Sequence, residues 1–590
     1  MSLILQVFYS IVSGLLLSAA IPNDIYLLGF PLFAFIALCP YFIAISNCKG
    51  FKQAFLLGFC QTISTHLVSS YWLAFFKDFA IFTLGASALA TGIIGGFMAI
   101  YMYLPFSRSS KASFDFYKPL PAFYTKSAFR IFWFAAIYTL YEYIKSSGFL
   151  GYPWGTVSSA MYNFKSFTQL AAITGTYGIT FLTAVFNALL GEFLILLEKQ
   201  LHANNKVIFW SSFNWSAITF ALLFASTLIY GRYELNLQRK PVKQITTIFV
   251  QQNDDPWEIL TDDEVILNCQ NLTIQQLEQL KNENKKPQLI VWSEGSLKRY
   301  FPGNYSYYKH NPPERPFISF IKDCGAPLIA GGGVSIKEKV LVNGEEDIKK
   351  TMYNSALVFD ANGNYRGYYG KLHLVPFAES IPGIDNPKIK AIIKKVVGIS
   401  AGWHKGEHLT YFDIPCTSLD SKYSTLVENF DLSQKYVESE QTLPTAKIAI
   451  PICYDDAFTD VIRPMYLHGA ELFVNITNDS WSLRKSSEYQ HFCIASYRAI
   501  EYRTTLLRST NAGYSVVLDP CGRILADQPL FTTCAKSFDI PVYQRSSTFY
   551  AKFGNWLPYF IIIFLIVTSV IMAETFVKND YIPSEKKNRR

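Results

Sequence analysis

Charge is scarce in this chain: Asp, Glu, Lys and Arg make up only 17% of its 590 residues, while half of them are hydrophobic. So little charge over such a length excludes an ordinary soluble protein, and part of the chain must reside in lipid. Metal-binding patterns are missing as well. The ten cysteines and eight histidines include no CxxC pair and no His-rich tract, so neither a metal nor a cofactor is expected. A nucleic-acid partner is not expected either, because much of the net charge of +8 falls in short loops and a tail that flank apolar runs. The start, Met1-Ser-Leu-Ile, lacks the positive region of a signal peptide. The first apolar run is therefore read as a retained anchor, although Ser18-Ala-Ala20 resembles a cleavage site.

What is present first is a series of apolar runs long enough to cross a bilayer, which takes about 20 residues. They fall at 4 to 21, 26 to 46, 54 to 76, 80 to 105, 128 to 146, 168 to 198, 208 to 230 and 555 to 577, which predicts eight spans. Lys49 and Lys52, then Arg108, Lys111, Lys118 and Lys126, then Lys199 and Lys206, and finally Lys578, Lys586, Lys587, Arg589 and Arg590 occupy loops that share one side if the spans alternate. The other short loops carry only Lys77 and Lys165. Positive loops stay in the cytoplasm, so both termini are expected inside and the long polar region outside. Polar residues within spans, such as Gln61, His66 and Asn187, are read as interhelical hydrogen-bonding groups. Three regions result: 1–231 with seven spans, an exported domain at 232–553, and 554–590 with a last span and a basic tail.

From Gln244 onward short β-rich runs alternate with amphipathic helices, which predicts an α/β domain with internal hairpins. Strands are expected at 245–251, 288–292, 327–333, 353–359 and 472–476, and helices at 262–282 and 487–503. Residues 301–316 and 417–445 are polar and aperiodic and read as surface loops, the second either a tolerated insertion or a lid. Seven cysteines, Cys269, Cys324, Cys416, Cys453, Cys493, Cys521 and Cys534, lie in the exported region. An odd number leaves at least one thiol unpaired, and Cys453 is the choice.

Cys453 follows an apolar strand-like run, Ala449-Ile-Pro-Ile, and precedes a polar turn, where a nucleophile is held out of a sheet. Leu289-Ile-Val-Trp-Ser-Glu294 and Tyr369-Gly-Lys-Leu-His-Leu-Val-Pro-Phe-Ala-Glu379 likewise place an ionisable group next to an apolar run. A free thiol has a pKa of about 8.5 and needs a base or a cation to react at neutral pH. Glu294 could be that base and Lys371 that cation. Singly, each is more often a rim carboxylate, a solvated lysine or an inert buried cysteine; the three together carry the case.

In this order Glu294, Lys371 and Cys453 resemble the Glu-Lys-Cys triad of the nitrilase, or carbon–nitrogen hydrolase, superfamily. The surrounding words, Val-Trp-Ser-Glu294, Lys371-Leu-His-Leu-Val-Pro-Phe-Ala-Glu379, Ile-Cys453-Tyr-Asp455 and Thr477-Asn-Asp-Ser-Trp481, resemble more narrowly the apolipoprotein N-acyltransferase family. Gly151-Tyr-Pro-Trp-Gly155, Gly175-Thr-Tyr-Gly178 and Asn187 extend the resemblance into the membrane half. It implies a multi-pass helical domain joined to an αββα sandwich. It also implies transfer of an acyl chain from a membrane phospholipid to the α-amine of a diacylglyceryl-cysteine lipoprotein, through a thioester on Cys453. Glu294 would be the general base and Lys371 the oxyanion support. Glu379 would be a second carboxylate on the lysine, although from spacing alone a helix or loop cap fits as well. Tyr454 and Asp455 would shape the nucleophile turn. Trp257 and Trp481 are candidates for the acyl-chain entrance, a core or interface position being the commoner use of tryptophan. The family usually has glutamate at Asp455, proline at Ser293 and glycine at Ala378. The implied address is the bacterial cytoplasmic (inner) membrane with the catalytic domain on the periplasmic side, and a monomer is expected. Two other readings stay open: a membrane-anchored amidase or nitrilase-type hydrolase, in which water replaces the amine, and a non-catalytic lipoprotein-binding scaffold.

Overall fold

Backbone amides have no water to bond in a bilayer, so apolar segments fold as helices whose polar groups find partners within the chain. In the structure, a computed structural model describing residues 1–76, 81–107, 126–202, 211–255, 257–342, 345–380, 402–420 and 444–580, the chain forms two units. One is Met1–Leu235 with Phe553–Arg590, and the other is Asn236–Lys552. Lys77, Arg108, Lys111, Lys118, Lys206, Lys586, Lys587, Arg589, Arg590 and residues 421–443 of the second polar stretch lie outside the described residues.

Among the described residues of the first unit, four helices are long and apolar enough to cross a membrane: Leu3–Ala20, Thr83–Phe106, Thr176–Leu201 and Ser211–Asn236. Pro31–Ser46 and Trp556–Ile571 are shorter apolar helices, and Phe51–Ser69 and Ser127–Lys145 are helices that bury more polar residues. Three of the expected spans are not continuous, the run 54 to 76 passing at Ser70 from helix Phe51–Ser69 into the 3-10 turn Tyr71–Phe75. The run 26 to 46 divides into Pro31–Phe33, Ala34–Ala37 and Cys39–Ser46, the last with Pro40 in its first turn, where no N–H is needed. Asn187 satisfies the interrupted backbone: its Oδ1 accepts from the amides of Leu38 (2.8 Å) and Cys39 (3.1 Å), and its Nδ2 donates to the Ala34 carbonyl (2.8 Å). The run 168 to 198 breaks at Gly175, whose φ of +64° ends a short helix, so the long helix starts at Thr176. His66 bonds Ser87 at 2.7 Å on another helix, whereas Gln61 bonds Thr65 one turn along its own.

The second unit contains β1 (Pro241–Gln251), β2 (Leu289–Trp292), β3 (Leu297–Phe301), β4 (Leu328–Val342), β5 (Glu345–Phe359), β6 (Tyr365–Gly370), β7 (Tyr411–Pro415), β8 (Thr417–Ser418), β9 (Thr445–Ala449), β10 (Leu472–Thr477), β11 (Thr505–Thr510), β12 (Val516–Leu518), β13 (Ile524–Asp527) and β14 (Cys534–Tyr543). They form an eight-stranded sheet, β14-β1-β2-β4-β5-β6 with β3 on β4 and β8 on β1, and a six-stranded sheet, β13-β12-β11-β10-β9-β7. Each has a parallel centre flanked by antiparallel strands: β1, β2 and β4 in one, β9, β10 and β11 in the other. The two sheets meet where β11 packs on β1, β2 and β14, and Ser509 Oγ donates across to the Val250 carbonyl at 3.2 Å. Helices Asp262–Asn282 and Phe317–Cys324 pack with the first sheet, and Lys485–Tyr502 packs on the second, joined by Thr459–Leu467. This is the αββα layering that the resemblance implies, and it accommodates the α/β domain that the strand and helix pattern predicts. Helix Asp262–Asn282 starts where expected because Thr261 and Glu264 cap it reciprocally.

β4 and β5 run to 15 residues each, well beyond the expected 327–333 and 353–359, and pair from Leu328↔Phe359 out to Val342↔Glu345. Every cysteine is a free thiol, so the unpaired Cys453 is one of ten rather than an exception. The surface-loop reading of 301–316 holds for most of the stretch, which is exposed or half-buried, but not for Phe301 and Tyr308. Phe301 stacks on Tyr308 with centroids 4.9 Å apart, both are fully buried, and the Tyr308 hydroxyl donates to the Arg299 carbonyl at 3.2 Å. Tyr308 is a core residue, Tyr305 and Tyr307 are half-buried against it, and all three hydroxyls are satisfied. Replacing Tyr308 with Ala is expected to cost about 3 to 5 kcal/mol. Thermal unfolding of the detergent-solubilised protein measures it, and an unchanged melting temperature would return Tyr308 to the surface.

Candidate active site

Each of the three candidate catalytic residues follows the carboxyl end of a strand, where open α/β sheets build their sites. Glu294 lies two residues beyond β2, which is anchored by Trp292: its ring is buried against Phe317 and its Nε1 donates to Thr273 Oγ1 at 3.1 Å. The Glu294 backbone sits so close to β4 that a Cβ on Gly331 would overlap its Cα, so that position needs glycine. Lys371 is the first residue after β6, with its amide bonded to the Asn354 carbonyl at 2.9 Å. Cys453 opens a 3-10 turn beyond β9 with φ +47°, a left-handed conformation rare for a residue with a side chain. Strain of this kind concentrates at functional sites.

The Lys371 ammonium is 1% exposed. Its Nζ lies 2.9 Å from Glu379 Oε2, 3.0 Å from Glu379 Oε1 and 3.6 Å from Glu294 Oε1. Two anions so near each other need donors, and Asn354 Nδ2 supplies them, reaching Glu294 Oε1 at 2.7 Å and Glu379 Oε1 at 2.8 Å. Glu294 Oε2 accepts from the Asn478 amide (2.8 Å), and Glu379 Oε2 from the Val375 amide (2.7 Å). Burial alone would push the lysine down, but Cys453, Glu379, Glu294 and Asp455 outweigh it and hold the ammonium well above its usual range. Burial pushes the Glu294 carboxyl up; Lys371 opposes the shift and Glu379 adds to it. That makes Glu294 a stronger base than a surface carboxylate. Glu379 thus sits on the lysine rather than capping a helix.

The Cys453 thiol is also driven well above its usual range, by burial first and then by Glu294 and Asp479, with Lys371 opposing. The resting site therefore pairs a protonated sulfur with an ammonium and a base. Sγ donates to Asp479 Oδ1 at 3.9 Å, within the reach of a sulfur donor. Sγ, a carboxylate oxygen of Asp479 and a ring nitrogen of His491 lie within 4.8 Å of one another, donor types that bind metals. They are not an open ligand set, since Asp479 already accepts from His491 Nδ1 (2.6 Å), Thr477 Oγ1 (3.0 Å) and Arg508 Nη2 (3.1 Å). Asn354, His491 and Arg508 are absent from the sequence reading. Asn354 had a signal, a lone amide in the otherwise apolar Tyr353–Phe359 run, while His491 and Arg508 sit in a helix and a strand with nothing local to mark them.

Tyr454 packs against Phe458, centroids 4.9 Å apart, beside His373, which stacks on Phe458 at 3.6 Å. Burial lowers His373 to about 4, so this aromatic wall is neutral at physiological pH. The structure brings Trp257 and Trp481 together rather than onto the three catalytic candidates: their rings meet edge to face at 5.7 Å, Trp257 Nε1 donates to the Trp481 carbonyl at 3.2 Å, and Trp481 is 45% exposed.

The chain is similar to known proteins along nearly its whole length. The profile described as apolipoprotein N-acyltransferase N-terminal domain matches residues 13–189, and that described as carbon-nitrogen hydrolase matches residues 272–542. Apolipoprotein N-acyltransferase 2 of Treponema denticola is 39% identical, over 97% of this chain and 98% of that protein. Apolipoprotein N-acyltransferase 2 of Treponema pallidum is 30% identical over 93% and 91%, and apolipoprotein N-acyltransferase of Borreliella burgdorferi is 27% identical over 97% and 96%.

Asp455, where the resembled family usually carries glutamate, reaches its partners despite the shorter side chain. Its Oδ1 accepts from the His373 amide (2.7 Å), and its Oδ2 from the Tyr369 hydroxyl (2.8 Å) and the Ile452 amide (3.0 Å). It ties the nucleophile turn to the segment after Lys371. Burial pushes its carboxyl up to about 7, against Lys371 and the three donors. Asp455→Asn turns one acceptor into a donor facing a donor, which is expected to cost about 1 to 3 kcal/mol and to slow turnover. A variant with unchanged melting temperature and unchanged turnover would remove Asp455 from this bracing role.

Proposed function

The chain belongs to the apolipoprotein N-acyltransferase family, and from that premise we propose that it moves a fatty acyl chain from a membrane phospholipid to the N-terminal α-amine of diacylglyceryl-cysteine in lipoproteins, through a thioester on Cys453. It is an acyltransferase with a carbon–nitrogen hydrolase domain and membrane helices. The observation that carries the mechanism is the convergence of three groups: a thiol on a strained turn, a buried ammonium, and a base whose proton affinity burial has raised.

In the first half-reaction Glu294 takes the Cys453 proton and the sulfur attacks the ester carbonyl carbon. The developing oxyanion is met by the Lys371 ammonium and a backbone N–H at the nucleophile turn. The ester C–O bond breaks, Glu294 returns the proton to the departing lysophospholipid oxygen, and a thioester remains. In the second, the acceptor amine attacks the thioester carbon, Glu294 takes a proton from nitrogen, the C–S bond breaks, and the proton goes back to sulfur. Glu379 keeps the lysine charged and oriented through both steps, while Tyr454 and Asp455 hold the turn. Trp257 and Trp481, a paired and partly exposed apolar surface, line the acyl-chain entrance. Needing neither metal nor cofactor, the scheme supports ping-pong kinetics.

The distribution of lysine and arginine supports eight crossings with both termini in the cytoplasm, and residues 232–553 as a catalytic domain on the periplasmic face of the cytoplasmic membrane. A monomer carries every group named above.

Purified protein incubated with phospholipid and no acceptor is expected to show an acyl adduct on the Cys453 peptide by mass spectrometry. A diacylated lipopeptide then discharges the adduct and gains the same mass, and Cys453→Ala shows neither event. An unmodified Cys453 in folded protein with lipid in excess would sink the thioester route, and release of free fatty acid without acceptor would mark a hydrolase.

A further inference from the structure

Behind the nucleophile lies a second set of ionised groups that the transfer steps leave unused. Asp456 comes from the turn that Cys453 opens, Asp479 from beyond β10, His491 from helix Lys485–Tyr502 and Arg508 from β11. They close into a ring. His491 Nδ1 meets Asp479 Oδ1 at 2.6 Å and its Nε2 meets Asp456 Oδ1 at 2.9 Å; Arg508 Nη1 meets Asp456 Oδ2 at 2.9 Å and its Nη2 meets Asp479 Oδ2 at 3.1 Å. The four side chains are between 0% and 7% exposed. An ionised carboxylate only accepts hydrogen bonds, so both nitrogens of His491 carry hydrogen and the ring is an imidazolium. Burial opposes that charge, but Asp479 and Asp456 outweigh it and raise His491 to about 9. With the guanidinium of Arg508, the ring holds two cations and two anions and is neutral as a whole.

We propose that this ring sets the reactivity of the nucleophile: His491 and Arg508 keep Asp479 ionised and fixed with Oδ1 on the Cys453 sulfur, and Asp456 holds both cations from the far side. Asp479 touches the reacting atom, and the other three are positioning residues that act through it. The inference rests on the reading of Cys453 as nucleophile. Other ionisable groups bear on the same sulfur or the same ring. Glu294 and Lys371 act on Cys453 from the triad, with Glu379 and Asp455 behind the lysine, and Glu488 lies beside Asp479 and Arg508, its carboxyl pushed well up by burial first and then by Asp479, with Arg508 opposing. None of these closes the ring. Because the ring is balanced, removing any one member leaves a net charge close to sulfur, and its sign depends on which member is lost. At an effective dielectric of about 20, a unit charge about 5 Å away moves a thiol by about two pKa units.

The test is the rate at which iodoacetamide alkylates Cys453 across pH in the full-length protein in detergent, read from the mass of the Cys453 peptide. Asp479→Asn and Asp456→Asn leave excess positive charge and are expected to speed alkylation at pH 7, by about tenfold or more for Asp479, one pKa unit of the thiol. His491→Gln and Arg508→Gln leave excess negative charge and are expected to slow it. Where Arg508→Gln does not fold, as judged by its melting curve, His491→Gln carries the cation arm alone. A purely structural role exposes the sulfur and speeds all variants alike; that outcome, or four unchanged rates, overturns the proposal. Opposite signs in the variants with no acyl adduct on wild-type Cys453 would keep the ring and remove the thioester function, and an adduct with uniform signs would do the reverse.

Discussion

An ammonium with no access to water is among the costliest groups to bury, and Lys371 is tolerated only because two carboxylates surround it. Those carboxylates repel each other, so they in turn depend on the Asn354 amide, which bridges them, and on backbone N–H groups at Asn478 and Val375. The donors come from β5, from the loop beyond β10 and from the segment after β6. The charge arrangement therefore cannot form until the first sheet is complete and the second sheet is docked against it. The site thus draws on both sheets: Glu379 takes its donors from Asn354, Val375 and Lys371 on the side of the first, and Glu294 takes a further one, the Asn478 amide, from the second.

Much of this is legible in the sequence, for a physical reason. A strand buried on both faces reads as a short apolar run, so Glu294 stands out after Leu289–Trp292, and Lys371 and Cys453 stand out beside the apolar runs Leu372–Phe377 and Ala449–Ile452. The Asp456–His491–Asp479–Arg508 ring is not legible, because its bonds join residues far apart in the chain and only the docking of helix Lys485–Tyr502 on β11 brings them together. Residues 301–316 lie at the surface as read, but their aromatic side chains do not. Their tyrosines count as polar in a composition reading, yet their rings complete an aromatic core, and only packing shows which end of a tyrosine is wet.

In the membrane half, hydropathy finds apolar content but not helix continuity. Lipid favours apolar side chains whether or not the backbone is broken, so the interruptions near Leu38 and at Gly175 leave no trace in the hydropathy of the run. The backbone bears the consequence instead, and the polar side chain that repairs it comes from another helix, as Asn187 does. The two units thus use polar groups differently. The membrane unit spends single side chains, Asn187, Glu142 and Lys145, on backbone groups at helix breaks and loops, whereas the α/β unit gathers several charges at the ends of its strands.

The long hairpin of β4 and β5 determines where this chain can gain or lose residues. At its base, Gly333 pairs with Asn354 and Gly331 with Ala356, the stretch that backs Glu294 and carries the bridging amide. A single residue inserted between there and Phe359 would turn Asn354 to the opposite face of the sheet and leave the two carboxylates without their shared donor. From Ser335↔Met352 outward, no third strand pairs with the ribbon among the described residues. A change of length in the outer ribbon therefore leaves the register at the site untouched, while the count of residues at its base is fixed by the chemistry it supports.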